Sequence, residues 1–307
     1  MRAMIYDRYG EPEILRLAEL PMPKTGPGEV LIRVRSAAVN PVDWKIMAGG
    51  LDAIMETFFP VVPGWDVSGI VEAVGFDAPE FRPGNEVIAY ARKSVIRDGS
   101  FGEFIPVSTL SAARKPASLD WDQAAGLPLA GLTAYQLFRR LGLKAGEVVL
   151  IHAAAGGVGI LGGQIARAMG ARVIGTASEK NHEFLRSFGI EPVTYGEGLA
   201  ERVRQLAPGG VDVVADFVGG VLDVTRAVLA PSGRHGSIVD ASVAEHGGLY
   251  AWVRPNGEDL AQLARFADEG RLTVPIAQVF PLEQGAEALR LNMSGHVRGK
   301  IAVRVSR

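Results

Sequence analysis

The run Val148-Val149-Leu150-Ile151-His152-Ala153-Ala154-Ala155-Gly156-Gly157-Val158-Gly159, continued by Ile160-Leu161-Gly162-Gly163-Gln164-Ile165-Ala166, decides the fold. A short apolar stretch meets a cluster of small residues, and a helical pattern follows at once. That layout predicts a strand, a tight turn and a helix N-terminus. Small residues let the backbone approach a pyrophosphate, and the helix start offers unpaired N–H groups and a partial positive charge to that anion. The spacing Ala154-x-Gly156-x-x-Gly159 is a dinucleotide fingerprint whose first glycine is alanine. Its turn comprises Ala155, Gly156, Gly157 and Val158.

Strand and helix patterns alternate outward from this turn: 147–152, 158–169, 171–176, 180–188, 212–216, 220–229 and 235–240. Such alternation predicts right-handed βαβ units and a doubly wound parallel sheet. Upstream, 30–37, 67–74 and 86–90 read as short strands divided by Pro/Gly turns such as Thr25-Gly26-Pro27-Gly28 and Arg82-Pro83-Gly84-Asn85. These predict a small β-barrel-type domain. A helix is expected at about 257–269, and the tail 272–307 reads as strand-like pieces. The expected organisation is a first domain over 1–117, a dinucleotide-binding domain over 118–268, and a segment over 269–307 that returns to the first domain.

The 307 residues are 48% hydrophobic, carry a formal charge of −2 and include no cysteine. Disulfides, thiolate metal sites and cysteine nucleophiles are therefore excluded. No basic patch suited to nucleic acid stands out. The five histidines are His152, His182, His235, His246 and His296, and no two have the spacing of a helical metal pair. The longest apolar region, 148–163, is shorter than a membrane span and is broken by glycines and a histidine. The expectation is a cytoplasmic protein with no membrane or nucleic-acid partner.

A sheet that binds the unphosphorylated cofactor usually places an acid about 20 residues past the glycine turn, on the ribose hydroxyl. Here that strand ends Val173-Ile174-Gly175-Thr176-Ala177-Ser178-Glu179-Lys180-Asn181. Ser178 and Lys180 suit a 2′-phosphate, so NADPH is the expected cofactor. Glu179 argues against it, and the alternative roles are a helix cap for Ser178 and solvation for Lys180. Val218-Gly219-Gly220 and Asp240-Ala241-Ser242 follow two later strands, where ligands bind in such sheets. A plain turn into the next helix is the other reading of Gly219-Gly220. His152 reads as a packed histidine rather than a base.

The chain resembles the zinc-free medium-chain dehydrogenases/reductases, in their quinone oxidoreductase and enone reductase branch. The resemblance covers nearly the whole chain. It is carried by Gly28-Glu29-Val30, Ala38-Val39-Asn40-Pro41-Val42-Asp43-Trp44-Lys45, Pro63-Gly64-Trp65-Asp66-Val67-Ser68-Gly69, Gly131-Leu132-Thr133-Ala134, Ala153 to Gly159, and Gly295-His296-Val297-Arg298-Gly299-Lys300. It implies a GroES-like catalytic domain plus a Rossmann sheet. Zinc-dependent relatives carry a cysteine near Asn40-Pro41-Val42-Asp43 and Gly-His-Glu where this chain has Gly64-Trp65-Asp66. Two of the expected ligands are thus missing, and no metal is expected.

The resemblance further implies that 40–45 lines the cleft beside the nicotinamide, with Asn40, Asp43 and Lys45 as candidate catalytic residues. It adds Thr133, Tyr195, Arg298 and Lys300 to the cofactor-binding candidates. Asn40-Pro41 also reads as an N-cap with proline at the first helical position, and Asp43 as its capping-box acid. Lys45 also reads as a solvated surface lysine. Trp44, Phe58, Phe59, Trp65, Tyr250 and Trp252 are candidate apolar walls or core. The expected activity is NADPH-dependent hydride transfer to a quinone or to the C=C of an α,β-unsaturated carbonyl. An enoyl-thioester reductase and a non-catalytic NADPH-binding protein stay open. Leu249-Tyr250-Ala251-Trp252-Val253 reads as an apolar edge strand, from which a homodimer is expected.

Overall fold

The computed structural model describes residues 1–306, and the chain folds as two compact units. The first unit comprises Met1–Leu129, Pro255–Gly270 and Val274 onward; the second comprises Ala130–Arg254 and Arg271–Thr273.

The chain opens with β1 (Arg2–Ile5) paired antiparallel to β2 (Arg16–Glu19), then β3 (Glu29–Val39), α1 (Pro41–Met47), β4 (Asp66–Val74), β5 (Glu86–Tyr90), β6 (Phe104–Ser108), β7 (Ala112–Arg114) and α2 (Trp121–Ala125). Next come α3 (Pro128–Leu141), β8 (Val148–His152), α4 (Gly157–Ala168), β9 (Arg172–Ala177), α5 (His182–Ser187), β10 (Glu191–Thr194) and α6 (Leu199–Leu206). They are followed by β11 (Val211–Asp216), α7 (Leu222–Val228), β12 (Leu229–Ser237) and β13 (Leu249–Tyr250). The last elements are α8 (Gly257–Asp268), β14 (Ile276–Pro281), α9 (Gly285–Met293) and β15 (Lys300–Arg304).

In the first unit the seven-stranded sheet runs β14-β15-β3-β4-β5-β7, with β6 also on β3. β3 is its spine: along one edge its first half pairs with β6 and its second half with β15, and β4 follows most of its length. Its sequence explains this placement. Ile32 and Val34 alternate with the half-buried Arg33 and Arg35, whereas Ala37, Ala38 and Val39 are buried in succession, as a strand covered on both faces requires. The returning tail therefore completes this sheet through β15.

The second unit holds a parallel six-stranded sheet in the order β10-β9-β8-β11-β12-β13. Numbered from β8, that is the 3-2-1-4-5-6 order of a Rossmann sheet, whose direction of winding reverses between β8 and β11. Leu150, Ile174, Val193, Val211 and Val214 of its strands pack against Leu199 and Val203 of α6 and Val228 of α7.

The two compact units divide near 129/130 and 254/255, with Arg271–Thr273 also in the second, and the expected domain limits are 117/118 and 268/269. α2 packs on β3 and β4, and α8 on β7, so both belong to the first unit. The expected helix over 180–188 is a 3-10 turn, Glu179–Asn181, followed by the short α5. β12 starts six residues before the expected 235, because a register break at Val211/Val213 admits Pro231-Ser232-Gly233 into the strand. α9 interrupts the tail, where only strands were expected. The edge strand expected over 249–253 is paired for two residues only.

Candidate active site

In the second unit the glycine turn sits at the carboxyl end of β8, beside the reversal point of the sheet. Gly156 is the N-cap of α4, a twelve-residue helix whose first N–H groups have no intrahelical acceptor. The residue that turns left-handed is Ala153, with φ 58°, one position before the alanine read as the replaced glycine. Ala153 N–H donates to Thr176 Oγ1 at 3.0 Å and Ala154 N–H to Thr176 O at 3.0 Å, which ties the turn to the end of β9. A Cβ on Gly159 would lie 2.2 Å from Ala153 O and 2.7 Å from Ala154 Cα. Only a glycine lets α4 approach the turn this closely. Ala155 is buried, while Gly156, Gly157 and Val158 are half-buried.

The other candidates of this unit fall where strands end. Ser178 caps the 3-10 turn without a side-chain cap bond, and its Oγ accepts from Asn181 Nδ2 at 3.3 Å. Lys180 is exposed, and Tyr195 follows β10 with 60% of its surface exposed. After β11, the N–H groups of Val218 and Gly219 both donate to Asp216 Oδ1 at 2.9 Å. Asp216 Oδ2 accepts from Ser237 Oγ at 2.7 Å, and that oxygen accepts in turn from the N–H groups of Val239 and Asp240. One buried carboxylate thus fixes the loops after β11 and β12, and the two amides it holds are already engaged. Ser242 donates from N and Oγ to Asp240 Oδ1. Thr133 is buried in α3.

His152 is 1% exposed, with Nε2 3.3 Å from Thr225 Oγ1. Burial lowers its pKa to about 4, against the opposing charge of Asp216, so it is neutral at neutral pH. It is a packed histidine, as its sequence context suggested.

In the first unit three strand ends converge on one polar cluster. Asn40 follows β3, Asp66 begins β4 and Lys300 begins β15; the pairings Ala38↔Asp66 and Val39↔Ile301 set them side by side. Asn40 Nδ2 donates to Asp66 Oδ2 at 2.9 Å, and Lys300 Nζ donates to Asn40 Oδ1 and to Val39 O at 3.1 Å. Lys300 Nζ lies 3.5 Å from Asp66 Oδ2, and Asp66 Oδ1 accepts the Leu129 N–H at 2.7 Å. Asn40, Asp43, Asp66 and Lys300 are all at most 4% exposed. Burial pushes Asp66 up and Lys300 down, and their mutual attraction opposes both shifts.

Asp43 Oδ2 accepts the Asn40 N–H at 2.7 Å, as a capping-box acid does, but the Asn40 side chain makes no cap bond. It is turned instead into the cluster. Burial raises the Asp43 pKa to about 7; the Asn40 N–H and Lys300 oppose the rise, and Asp66 adds to it.

The remaining candidates of this unit lie elsewhere. Lys45 is exposed, with Nζ 5.5 Å from the Trp44 ring, and Arg298 is exposed just before β15. Trp65, at the position of a zinc-binding histidine in zinc-dependent relatives, is buried edge-on against Tyr90. Trp44 is half-buried; Phe58, Phe59, Tyr250 and Trp252 are exposed. Among the described residues no group of three His, Cys, Asp or Glu side chains is placed to hold a metal, and no helix is long and apolar enough to cross a membrane.

Sequence reading missed Asp66, Asp216 and Thr176. Asp66 and Asp216 are acids at the ends of apolar strands, and Thr176 is a polar residue inside one; each signal was present in the strand itself.

Residues 26–116 match the model of the alcohol dehydrogenase GroES-like domain, and residues 190–303 that of the zinc-binding dehydrogenases. The chain is 33% identical to the NADPH-dependent alkenal/one oxidoreductase of Arabidopsis thaliana chloroplasts, over 99% of this chain and 79% of that protein. Its fold matches the quinone oxidoreductase from Coxiella burnetii with a TM-score of 0.86, at 32% identity over 100% of this chain and 99% of the other. It also matches an NAD-dependent alcohol dehydrogenase with a TM-score of 0.89, at 31% identity over the whole of both chains. The chain belongs to the medium-chain dehydrogenase/reductase family, in the quinone oxidoreductase and enone reductase branch. Its first unit carries the GroES-like domain and its second the Rossmann sheet.

Proposed function

We propose that the protein is an NADPH-dependent, zinc-independent oxidoreductase that reduces a quinone or the C=C of an α,β-unsaturated carbonyl. The observation that carries this reading is the turn at the start of α4. Its N-cap is Gly156, and a Cβ at Gly159 would close the approach of helix to turn. The turn suits a pyrophosphate, which Ala155, Gly157 and Val158 would hold through backbone N–H groups, while Gly156, whose own N–H donates to Ala153 O at 3.1 Å, would give the close approach. Ser178, Lys180 and Tyr195 would hold the adenosine end with its 2′-phosphate. Thr133, Val218, Gly219, Ser242 and Arg298 are the further contacts proposed for the cofactor. Bound there, the dinucleotide supplies the hydride.

The protein's own contribution is positioning and polarisation of the acceptor. Asn40 carries the proposed polar contact, held in one rotamer by Asp66 and Lys300. Asp43 holds the Asn40 backbone. Lys45, which faces solvent over Trp44, is a weaker proposed contact than Asn40. Lys300 is a further proposed cofactor contact; its Nζ also donates to Val39 O and Asn40 Oδ1, so it orients Asn40 as well. A homodimer is the proposed assembly, which light scattering tests: a dimer mass is expected, and a monomer mass contradicts it.

The test of function is oxidation of NADPH against a panel of quinones, enals and enoyl thioesters, repeated with NADH. NADPH consumption with a quinone or enal is expected. Turnover of enoyl thioesters alone would establish the thioester reductase instead. Tight NADPH binding with no turnover on any acceptor would establish a non-catalytic binding protein.

A further inference from the structure

The first unit contains a small cavity that the hydride-transfer reading does not use. Tyr6 and Asp43 line it together with Trp65 and Ile96, and its wall continues to Arg97 and Asp98. Tyr6 is 1% exposed and Asp43 2%, whereas Arg97 and Asp98 are exposed, so the wall leads from the interior to the surface. The cavity has room for about one water molecule. Tyr6 Oη and Asp43 Oδ1 are both buried, and neither has a hydrogen-bond partner among the described residues. A buried hydroxyl and a buried carboxyl oxygen left unpaired on one cavity call for a small ligand that both donates and accepts hydrogen bonds. Water is the ligand of that chemistry and size.

We propose that Tyr6 and Asp43 form a one-water site through which Asp43 exchanges its proton with solvent, and that Asp43 thereby sets the charge of the Asn40–Asp66–Lys300 cluster during hydride transfer. The second half rests on the reductase reading above. The exchange moves no electrons. The held water gives a proton to Asp43 Oδ1 and takes one from solvent, and the reverse deprotonates the carboxyl. Asp43 acts through its neighbours and is a positioning residue: its other oxygen holds the Asn40 N–H, and the Asn40 side chain meets Lys300 and Asp66.

With Asp43 ionised, the cluster is one charge more negative than with Asp43 protonated. That extra charge opposes the negative charge that grows on an acceptor as it takes up hydride. Transfer is therefore faster with Asp43 protonated. Burial lifts Asp43 toward neutrality, so the switch falls within the working range. The charged and titratable groups facing Asp43 are Asp66 from β4, Lys300 from β15 and Tyr6 just after β1, with Tyr90 from β5 within electrostatic range and Arg97 and Asp98 on the cavity wall. Burial and the Asp43 charge together push the Tyr6 phenol up, so it stays a hydrogen-bond donor throughout.

The experiment is a carbon-detected NMR titration of the aspartate carboxyls in the full-length, coenzyme-free protein, for wild type, Tyr6→Phe and Asp43→Asn. One carboxyl is expected to titrate near neutrality and to be missing from Asp43→Asn. In Tyr6→Phe its midpoint is expected to rise by about half a unit or more, because the ionised form loses a water-mediated donor. No aspartate titrating between about pH 5 and 9, or a midpoint unmoved by Tyr6→Phe, overturns the water site. Single-turnover hydride transfer then tests the role. The wild-type rate is expected to fall several-fold through that midpoint, and the Asp43→Asn profile to be flat; a flat wild-type profile overturns the charge-setting role. Absence of NADPH oxidation with every acceptor overturns the reductase reading, and with it the role, while the NMR titration still decides the water site.

Discussion

Around the turn after β8, the polar groups are backbone amides and short side chains. Thr176 holds the turn, Asp216 and Ser237 hold the next loops, and the buried ring of His152 is kept neutral. At the end of β3 the polar groups are instead the ionisable side chains of Asp66 and Lys300, drawn from separate strands and closed around the Asn40 amide. A site built from backbone follows from a local run of small residues and tolerates change in side chains pointing elsewhere. A site built from buried charges depends on every partner at once, because a charge left alone in the interior is costly.

The largest expected effect breaks the second arrangement. Lys300→Met leaves the Asp66 carboxyl buried without its cation and is expected to destabilise the protein by about 3–5 kcal/mol. Adding Asp66→Asn is expected to recover most of that loss in urea unfolding. A loss below about 1 kcal/mol for the single variant would put this pair in the class of exposed ion pairs and remove the contrast.

Gly159→Ala attacks the first arrangement. The new methyl meets Ala153 O, so the turn must shift, with an expected cost of about 1–3 kcal/mol. NADPH affinity is expected to fall by roughly tenfold or more, since the N–H groups no longer converge. Unchanged calorimetric affinity would show that the turn does not hold the dinucleotide.

The two interiors also respond to pH with opposite signs. Asp43 titrates at about 7 when folded, above its ordinary 3.8, so its contribution to stability is complete below about 4 and is lost as the pH rises to about 7. His152 titrates at about 4 when folded, below its ordinary 6.5. Its contribution is complete above about 6.5 and is lost as the pH falls to about 4. Asp43→Asn is therefore expected to raise the melting temperature relative to wild type mainly at neutral and alkaline pH. His152→Gln is expected to flatten the acid limb. Parallel curves for variants and wild type would contradict both assignments.

The smallest effect is at Ala153. Its left-handed backbone is unfavourable for alanine, whereas glycine adopts it freely but loses more chain entropy on folding. Ala153→Gly is expected to stabilise by up to about 1 kcal/mol, read as a small rise in the urea midpoint. A destabilised variant would show that the methyl packs.

Legibility in the sequence follows the same division. The parallel sheet and the turn were readable from Val148 to Ala166 because strand, turn and helix are local. The reading still placed the replaced glycine at 154, since spacing alone does not reveal which residue carries the positive φ. Asn40, Asp43 and Lys300 were named, but not their association: Lys300 and Asn40 are 260 residues apart, and only the pairing of β15 with β3 joins them. Asp66 stands out in the sequence only as a departure from the zinc pattern. Tyr6 gave no signal, because a tyrosine after an apolar strand looks like core, and here it is core as well.

The most direct test separates coenzyme uptake from hydride transfer, measuring NADPH affinity and single-turnover rate together in Gly159→Ala and Asn40→Ala. The account predicts that Gly159→Ala loses affinity by roughly tenfold or more. Asn40→Ala is predicted to bind within about twofold of wild type and to transfer hydride at least about tenfold more slowly. Loss of affinity in Asn40→Ala with an unchanged rate, or full affinity in Gly159→Ala, would contradict it.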